Sequence, residues 1–276
     1  MKICIVTMFS LCVINITLFA QKYTGIVYDG GTMKPIPYVN IGVVGKDVGT
    51  VSDSSGIYSI NIASQLTNDT IRFSFIGYES KEFLVSDFIK SDGKVMLVQQ
   101  PIELKEIFVS TGTMTEKLLG NKGMSYMSAG FSDVEKGYEC GPLLLIKKRA
   151  FLKGCELYLV GKKYLNTAKF RINIYKQNGD DYSNILQSPF YINLDSLPKT
   201  DSDSYYVDFT QIESKGIYVS GNTLVTIEDI EDITGGKMFL RAGFLGAPTV
   251  CRKTSQGKWQ KYNISVGIRV QAQVEK

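Results

Sequence analysis

The chain has 276 residues, of which 44% are hydrophobic, enough to bury the core of one large domain or of two ordinary ones. Its 31 basic and 27 acidic residues give a net charge of +4, which is too small to indicate a nucleic-acid-binding surface. It contains no histidine, which excludes Ser-His-Asp and Cys-His catalysis and removes the commonest ligand of a catalytic zinc.

The first twenty residues predict a secretory signal peptide. Lys2 precedes an apolar run that begins at Ile3, and the small residue Ala20 stands immediately before Gln21. We therefore expect cleavage after Ala20, export across the inner membrane, and a location in the periplasm, at the outer membrane or on the cell surface.

Two alternatives to a cleaved signal peptide are a membrane anchor and a lipoprotein signal. A spanning helix needs about 20 apolar residues, whereas Asn15 and Thr17 interrupt this run. A lipoprotein would be acylated at Cys12, but Cys12 lies inside the apolar run and Leu11 precedes it instead of a small residue. After cleavage we expect no transmembrane span.

Downstream of the predicted cleavage site the pattern is that of β-strands almost throughout. Runs rich in β-branched and aromatic residues, several of them alternating at period two, are separated by turn-forming clusters. Such runs occupy residues 22–28, 38–44, 71–78, 169–176 and 264–274. The only helix-like spans are short, at residues 86–91 and 115–120. We predict an all-β protein with two β-sandwich domains.

The strand run at residues 169–176 shows the alternation most clearly. Phe170, Ile172 and Ile174 point to one face, whereas Arg171 and Asn173 point to the other. This pattern is typical of a half-buried strand with one face in the core.

Composition and turn content also predict the domain organisation. Residues 21–100 form an N-terminal sandwich, and residues 139–276 form a C-terminal sandwich. Between them, residues 101–138 are rich in glycine and lack sustained alternation, which predicts a linker that contains one short strand at Glu103–Ser110.

The stretch GTVSDSSGIYSI, Gly49 to Ile60, contains an Asp, four Ser and two Gly residues, as a polar site would. We interpret it as a β-hairpin in which Thr50–Val51 ends one strand and Ile57 begins the next. Asp53 then caps the turn through the local backbone, and Gly56 supplies a positive φ.

The N-terminal sandwich carries a combined pattern of a Gly-x-Val-like strand, a Pro-centred turn, this Thr-x-x-Asp-x-x-Gly-x-Tyr segment and a strand that ends in Gly-Tyr. The matching residues are Gly25, Ile26, Val27, Pro35, Pro37, Val39, Ile41, Thr50, Asp53, Gly56, Tyr58, Phe75, Ile76, Gly77 and Tyr78. It resembles the carboxypeptidase regulatory-like domain, a prealbumin-type sandwich common in envelope proteins of the Bacteroidetes. The resemblance implies a seven-stranded sandwich without catalytic residues, so a peptidase activity of neighbouring domains in that family does not transfer to this chain.

The same family precedes the plug and barrel of TonB-dependent outer-membrane receptors, where a short strand similar to Glu103–Ser110 follows it. The residues that remain are too few for a plug and a large barrel. We therefore expect the envelope context of these receptors without their transport function.

The C-terminal sandwich is similar, in strand order only, to the jelly-roll and galactose-binding-like modules of secreted Bacteroidetes proteins. That resemblance implies a glycan or a cell-surface protein as partner, by analogy of fold.

Three cysteines, Cys140, Cys155 and Cys251, remain after signal cleavage, so at most one internal disulfide can form. Cys140 and Cys155 flank a strand run and are the candidate pair, which leaves Cys251 free. The geometry that a disulfide needs does not follow from the sequence.

Acidic clusters at Asp180–Asp181, Asp201–Ser204 and Glu228–Asp232 offer oxygen ligands for calcium. Asp201–Ser204 lacks the Gly and the later Glu of a calcium loop, and Asp180–Asp181, which follows Gly179, fits no better. We interpret them as solvated turns, and we expect no metal, no other cofactor and no catalytic residue. Trp259, with Tyr262 nearby, is the candidate contact for a sugar ring; the alternative is an aromatic residue of the core or rim.

We thus expect a non-catalytic binding or adaptor protein of the cell envelope with a glycan or protein partner. The alternatives are a hydrolase of unrecognised type in the C-terminal sandwich, or a purely structural or assembly role. The oligomeric state does not follow from the sequence.

Overall fold

The computed structural model of the protein describes residues 20–100, 112–132, 136–163, 168–200, 204–211, 216–232 and 236–276. The predicted signal peptide, apart from Ala20, lies outside the described residues, as do the short strand predicted at Glu103–Ser110 and Asp201–Asp203 of one acidic cluster. The predicted all-β class with two sandwich domains is confirmed.

The N-terminal sandwich consists of seven strands and one short helix within residues 20–100. The strands are β1 (Ala20–Asp29), β2 (Asn40–Val43), β3 (Gly49–Val51), β4 (Ile57–Ala63), β5 (Thr70–Ser74), β6 (Lys81–Leu84) and β7 (Lys94–Leu97), and the helix is α1 (Val85–Phe88). One sheet has the order β4-β1-β7 and the other the order β3-β2-β5-β6. Strand β1 is antiparallel to β4 and parallel to β7.

The alternation of β4 shows why these strands form a sandwich. Tyr58, Ile60 and Ile62 are buried, whereas Ile57, Ser59 and Asn61 are exposed. The buried face meets apolar residues of the opposite sheet, including Phe73, in one core. Burial of this apolar area is the main source of stability in a domain that has no disulfide.

The stretch Gly49–Ile60 is a turn between sheets, which corrects the prediction of a hairpin. Strand β3 pairs with β2, whereas β4 pairs with β1 in the other sheet. Asp53 Oδ1 accepts hydrogen bonds from the backbone N–H groups of Ser55 at 2.8 Å and Ile57 at 2.9 Å, and Gly56 has a φ of 75°. The sequence predicted the capping role of Asp53 and the positive φ of Gly56, but the strands on either side of the turn pair with strands of two different sheets.

The second group of strands spans residues 114–275. Its members are β8 (Met114–Gly120), β9 (Met124–Ser132), β10 (Glu139–Leu157), β11 (Leu159–Lys163), β12 (Lys169–Asn178), β13 (Asp181–Asn184), β14 (Phe190–Asn193), β15 (Tyr205–Asp208), β16 (Ile217–Asp229), β17 (Lys237–Gly243), β18 (Thr249–Arg252), β19 (Gln260–Tyr262), β20 (Ser265–Val266) and β21 (Ile268–Glu275). In the larger sheet the main path is β13-β12-β16-β10-β18-β19, and in the smaller one β9, β11 and β20 pair with β17.

The core of this second sandwich lies between the two sheets. Phe170, Ile172 and Ile174 of β12 point into it, as the alternation predicts, and they meet buried residues of β17 and β21. Strand β10 is long enough to pair with β16, β18, β15 and β21 in turn, and it therefore organises the larger sheet.

Strands β8 and β9 lie in the segment that the sequence predicted as a linker. Strand β8 pairs with β21 over seven residues, and β9 pairs with β17. The described part of this segment therefore belongs to the second sandwich, and the span at residues 115–120 is a strand instead of a helix. In contrast, α1 overlaps the helix-like span at residues 86–91.

In the part of the chain that the structure describes, no helix combines the length and the apolar character needed to span a membrane.

Candidate functional site

Four charged residues form a line across the larger sheet, one on each of four neighbouring strands. Arg171 on β12 is opposite Glu228 on β16, Glu228 is opposite Glu139 on β10, and Glu139 is opposite Arg252 on β18. We call these four residues the charge row. All four are buried, with at most 8% of their surface exposed. The row is electrically balanced, since two guanidinium groups enclose two carboxylates.

Each arginine of the charge row forms an ion pair with its neighbouring glutamate. Arg171 Nε donates to Glu228 Oε2 at 2.9 Å, and Arg252 Nε donates to Glu139 Oε2 at 2.9 Å. Charge-assisted hydrogen bonds of this kind offset part of the cost of taking the ions out of water.

Polar side chains of β12 and β16 add further hydrogen bonds to the two carboxylates of the row. Asn173 Nδ2 donates to Glu139 Oε1 at 2.9 Å and to Glu228 Oε2 at 2.7 Å. Thr226 Oγ1 also donates to Glu139 Oε1, and the hydroxyl of Tyr175 donates to Glu139 Oε2 at 3.2 Å. Of the four carboxylate oxygens in the row, Glu228 Oε1 alone has no hydrogen-bond partner among the described residues, and Arg252 Nη2 lies 3.9 Å from it.

The electrostatic environment keeps the arginines charged and weakens the acidity of Glu228. Burial raises the pKa of Glu228, and the nearby Glu139 carboxylate raises it further against the opposing effect of Arg171. Burial lowers the pKa of Arg171, but the negative charge of Glu228, the nearby hydroxyls of Tyr191 and Tyr175 and the hydrogen bond to Glu228 together outweigh it, so the pKa lies above its usual value. A buried carboxyl group with a raised pKa, such as that of Glu228, is the kind of group that acid–base catalysis uses, so the accessibility of the row decides its role.

The N-terminal sandwich covers the Arg171 end of the charge row. Arg171 Nη1 donates to the backbone carbonyl oxygen of Tyr38 at 2.9 Å, and Arg171 Nη2 donates to Asn40 Oδ1. The hydroxyl of Tyr38 in turn donates to Glu231 Oε1 at 2.8 Å, and Lys169 Nζ lies 5.5 Å from the centre of the Tyr38 ring. These contacts bury polar groups of both sandwiches in a common interface.

A second contact joins the β2–β3 hairpin to the loop that follows β18. Gly42 and Gly49 lie so close to this loop that a Cβ atom at either position would be 2.2 Å from the carbonyl oxygen of Ser255. Gln256 Nε2 donates to Ser74 Oγ at 2.7 Å, and the backbone N–H of Gly45 donates to the carbonyl oxygen of Gln256 at 2.9 Å. The glycines therefore permit a backbone-to-backbone approach that no larger residue would allow.

Comparison with family models identifies the covering domain. Residues 23–109 match the model of the CarboxypepD_reg-like domain, and the match includes the turn at Asp53–Gly56 and the Gly77-Tyr78 strand end. The N-terminal sandwich is a CarboxypepD_reg-like domain. The family prediction made from these residues is thereby confirmed, and the family is non-catalytic. A search of curated proteins finds no match to the chain.

The strand of the CarboxypepD_reg-like domain that contacts Arg171 is also part of its hydrophobic core. Ile41 of β2 is fully buried among the apolar residues of the domain, one position from Asn40. Sequence reasoning assigned Arg171 and Asn173 to a polar strand face, and it missed that this face is covered.

Trp259, the candidate sugar contact, packs beside the charge row. Its ring lies 5.5 Å from that of Tyr175 and 5.2 Å from that of Tyr182, and the guanidinium carbon of Arg252 lies 4.7 Å from its centre. The side chain of Trp259 joins the small apolar cluster of Leu143, Leu224 and Val250. Tyr262 lies on β19 and is 42% exposed. The structure does not bring the two rings into a shared stacking contact.

The cysteines occupy different places from those the sequence suggested. Cys140 and Cys155 lie near opposite ends of β10, fifteen positions apart in a strand that advances about 3.3 Å per residue. Disulfide-bonded residues have Cα atoms within about 7 Å of each other, so the suggested Cys140–Cys155 bridge does not fit this strand. All three cysteines are free thiols, and Cys140 is opposite Cys251 in the β10–β18 pair.

The acidic cluster Glu228–Asp232 contributes to the domain interface instead of forming a solvated turn. Glu228 belongs to the charge row, and Glu231 accepts hydrogen bonds from the Tyr38 hydroxyl and from the backbone N–H of Lys169. Asp180 and Asp181 are exposed. Among the described residues, no group of three or more acidic or cysteine side chains is arranged to hold a metal ion.

Proposed function

We propose that this protein is a non-catalytic binding or adaptor protein of the cell envelope, in which the CarboxypepD_reg-like domain and the C-terminal sandwich act as one unit. The observation that carries the proposal is the position of Arg171. Its guanidinium pairs with Glu228 of the second sandwich and donates to Tyr38 and Asn40 of the first. A charged group shared between two domains fixes their relative orientation, because separating them would leave a buried ion without its partners.

The same geometry favours binding over catalysis. Among the described residues, the charge row resembles an acid–base catalytic site because it brings two carboxylates together. However, its four residues are buried and its charges are paired. A catalytic acid or base must reach its substrate within hydrogen-bond distance, and this row reaches other protein groups. Together with the absence of histidine from the sequence, this supports a structural role for the row.

The envelope location rests on the family and on the N-terminal sequence. CarboxypepD_reg-like domains are typical of extracellular proteins, and the first twenty residues have the pattern of a secretory signal peptide. Both observations support a place outside the inner membrane.

The partner surface that the structure favours is a group of exposed apolar residues at one end of the smaller sheet, beside the start of β9 and the end of β17. We call Tyr126, Phe244 and Leu245 the apolar edge; they are 81%, 67% and 78% exposed. Met124 links them, because its sulfur accepts from the Tyr126 hydroxyl and its side chain lies beside Gly243. Exposed apolar groups that lie together are typical of protein–protein contacts, and one face of the Trp259 ring is occupied by Arg252. A protein partner is therefore favoured over a sugar.

The test compares partner binding by purified residues 21–276 and by a Phe244→Ser/Leu245→Ser variant. We expect the variant to lose most of its capture of a specific envelope protein, whereas the matched control Leu145→Ser, at an exposed site on β10, keeps it. A glycan array is run in parallel. Unchanged capture by the double variant, or selective sugar binding that Trp259→Ala abolishes, would overturn the choice of a protein partner at the apolar edge. Turnover of a hydrolase substrate that Glu139→Gln removes would overturn the non-catalytic role.

A further inference from the structure

Cys140 and Cys251 are directly opposite each other in the antiparallel pair of β10 and β18. The hydrogen-bonding pattern of this pair shows which kind of position they occupy. The backbone N–H of Leu143 donates to the carbonyl oxygen of Pro248, its opposite residue. Hydrogen-bonded and non-hydrogen-bonded pairs alternate along an antiparallel ladder. The next pair, Pro142 opposite Thr249, is therefore not hydrogen-bonded, which suits a proline because it has no backbone N–H to donate. Two positions further on, Cys140 and Cys251 are again a non-hydrogen-bonded pair.

A non-hydrogen-bonded pair brings two residues close enough for a disulfide. Cα atoms at such positions are about 4.5 Å apart, which lies within the range of about 4.4–6.8 Å found for disulfide-bonded residues. Directly opposite side chains also lie on the same face of a sheet. The register therefore places the two thiols side by side on one face of the sheet.

The two thiols differ in accessibility and in acidity. Cys140 is buried, with 2% of its surface exposed, whereas Cys251 is partly exposed. The hydrogen bonds from Cys140 and Tyr138 lower the pKa of Cys251, although burial opposes them. The hydrogen bond to Cys251, together with burial, raises the pKa of Cys140. Because the thiolate is the reactive form of cysteine, Cys251 is the residue suited to react first.

We propose that Cys140 and Cys251 are a modification site that forms an intramolecular disulfide when the protein meets a small-molecule or protein disulfide outside the inner membrane. The Cys251 thiolate attacks the oxidant disulfide RS–SR, whose S–S bond breaks to give a mixed disulfide on Cys251 and one thiol RSH. Cys140 then loses its proton and attacks Cys251 Sγ, which releases the second RSH. The two cysteines are oxidised by two electrons, and the oxidant is reduced to two thiols.

The disulfide would cross-link β10 and β18, in the part of the larger sheet that contacts the N-terminal sandwich. Cys140 and Cys251 are the immediate neighbours of Glu139 and Arg252, the second half of the charge row. The loop that follows Arg252 makes the close contact with Gly42 and Gly49. Cross-linking β10 to β18 restricts the unfolded chain, so the oxidised protein should unfold at a higher temperature than the reduced protein.

The experiment treats the exported chain, purified under reducing conditions, with oxidised glutathione and follows thiol content, intact mass and linked peptides. We expect three free thiols to fall to one, a mass loss of two hydrogen atoms without a glutathione adduct, and a linked peptide pair that contains Cys140 and Cys251. Cys155→Ser is the matched control, since Cys155 is buried at the far end of β10, and it should still form the bond.

Cys140→Ser and Cys251→Ser should each abolish the internal disulfide, and Cys140→Ser should leave a stable glutathione adduct on Cys251. Three thiols that persist under oxidation, or linked peptides that contain Cys155, would overturn the proposal. Peptide mapping of the unsubstituted chain decides the question even where a serine variant fails to fold.

Discussion

Arg171 donates to the backbone carbonyl oxygen of Tyr38, 133 positions away in sequence, at a distance of 2.9 Å. The same guanidinium forms a buried ion pair with Glu228. One side chain thus connects a strand of the C-terminal sandwich to the CarboxypepD_reg-like domain. Because its exposed fraction is only 2%, water cannot replace either contact if the side chain is lost.

Replacement of Arg171 by Met should destabilise the protein strongly. The substitution leaves Glu228 with one fewer cation in a buried site, and breaking a buried ion pair costs roughly 3–5 kcal/mol. The matched control is Arg72→Met, since Arg72 pairs with Glu82 at the surface with 37% of its side chain exposed; this change should cost less than about 1 kcal/mol. Urea unfolding measures both. Equal free energies of unfolding for the two variants would show that the Arg171 contact is absent in solution.

Asp229, next to the charge row, should make stability depend on pH. Burial raises its pKa to about 8, with Glu228 adding to the shift and the backbone N–H of Glu231 opposing it. The folded state then holds a proton that the unfolded state releases above its ordinary pKa of about 4. The contribution of Asp229 to stability is therefore fully present below pH 4 and declines as the pH rises to about 8, by up to about 1.4 kcal/mol per pH unit.

Asp229→Asn isolates this effect, because its amide cannot titrate. The difference in the free energy of unfolding between the two proteins should shift in favour of the Asn variant from about pH 4 to about pH 8 and then level off. Neighbouring charges on Lys136, Glu228 and Asp232 are common to both proteins and largely cancel in the difference. A difference that stays constant over this range would show that Asp229 is ionised in the folded protein.

The N-terminal sandwich was largely predictable from the sequence, because the signals that define its strands and turns lie within a few residues of each other. Strand β4 alternates between buried and exposed residues, and the turn at Asp53–Gly56 depends on a side chain and a φ angle within a few residues. Such signals do not depend on the rest of the chain. The error in this domain was the prediction that β3 and β4 form a hairpin. It concerned which strands pair, and strand pairing depends on distant parts of the chain.

The charge row was not predictable from the same kind of signal. Arg171 and Asn173 alternate with Ile172 and Phe170 as on any half-buried strand, but both faces of β12 are buried. The N-terminal sandwich covers Arg171, and side chains of neighbouring strands in the same sheet enclose Asn173. Strand β8 was missed for a related reason, since its burial pattern lacks alternation and its place in the sheet comes from pairing with β21. In both cases a distant part of the chain decides the environment.

Trp259→Ala should destabilise the protein whether or not the ring binds a sugar. The side chain packs against Tyr175 and Tyr182, and truncating a large core aromatic costs roughly 3–5 kcal/mol; partial exposure should place this change near the lower end. Tyr262→Ala, at a 42% exposed position, should cost about 0.5 kcal/mol or less. Thermal unfolding of both variants is the measurement. If Trp259→Ala is as stable as Tyr262→Ala, the Trp259 ring does not contribute to packing, and it again becomes the candidate contact for a sugar ring.

Gly42→Ala should weaken the contact between the CarboxypepD_reg-like domain and the loop after β18. The new Cβ atom would lie 2.2 Å from the carbonyl oxygen of Ser255, and because that atom belongs to the backbone, the loop or the hairpin must move. Overpacking of this kind costs about 1–3 kcal/mol. Gly31→Ala is the matched control, since its Cβ would meet only Asp29 Oδ1 at 3.4 Å, an ordinary contact. Two measurements report on the change: the fluorescence of Trp259 and the sensitivity of the protein to protease. Trp259 is the single tryptophan and lies close to this loop in sequence. We expect an altered emission spectrum and faster cleavage for Gly42→Ala alone; identical behaviour of the two variants would mean that the domains are not held together through this glycine.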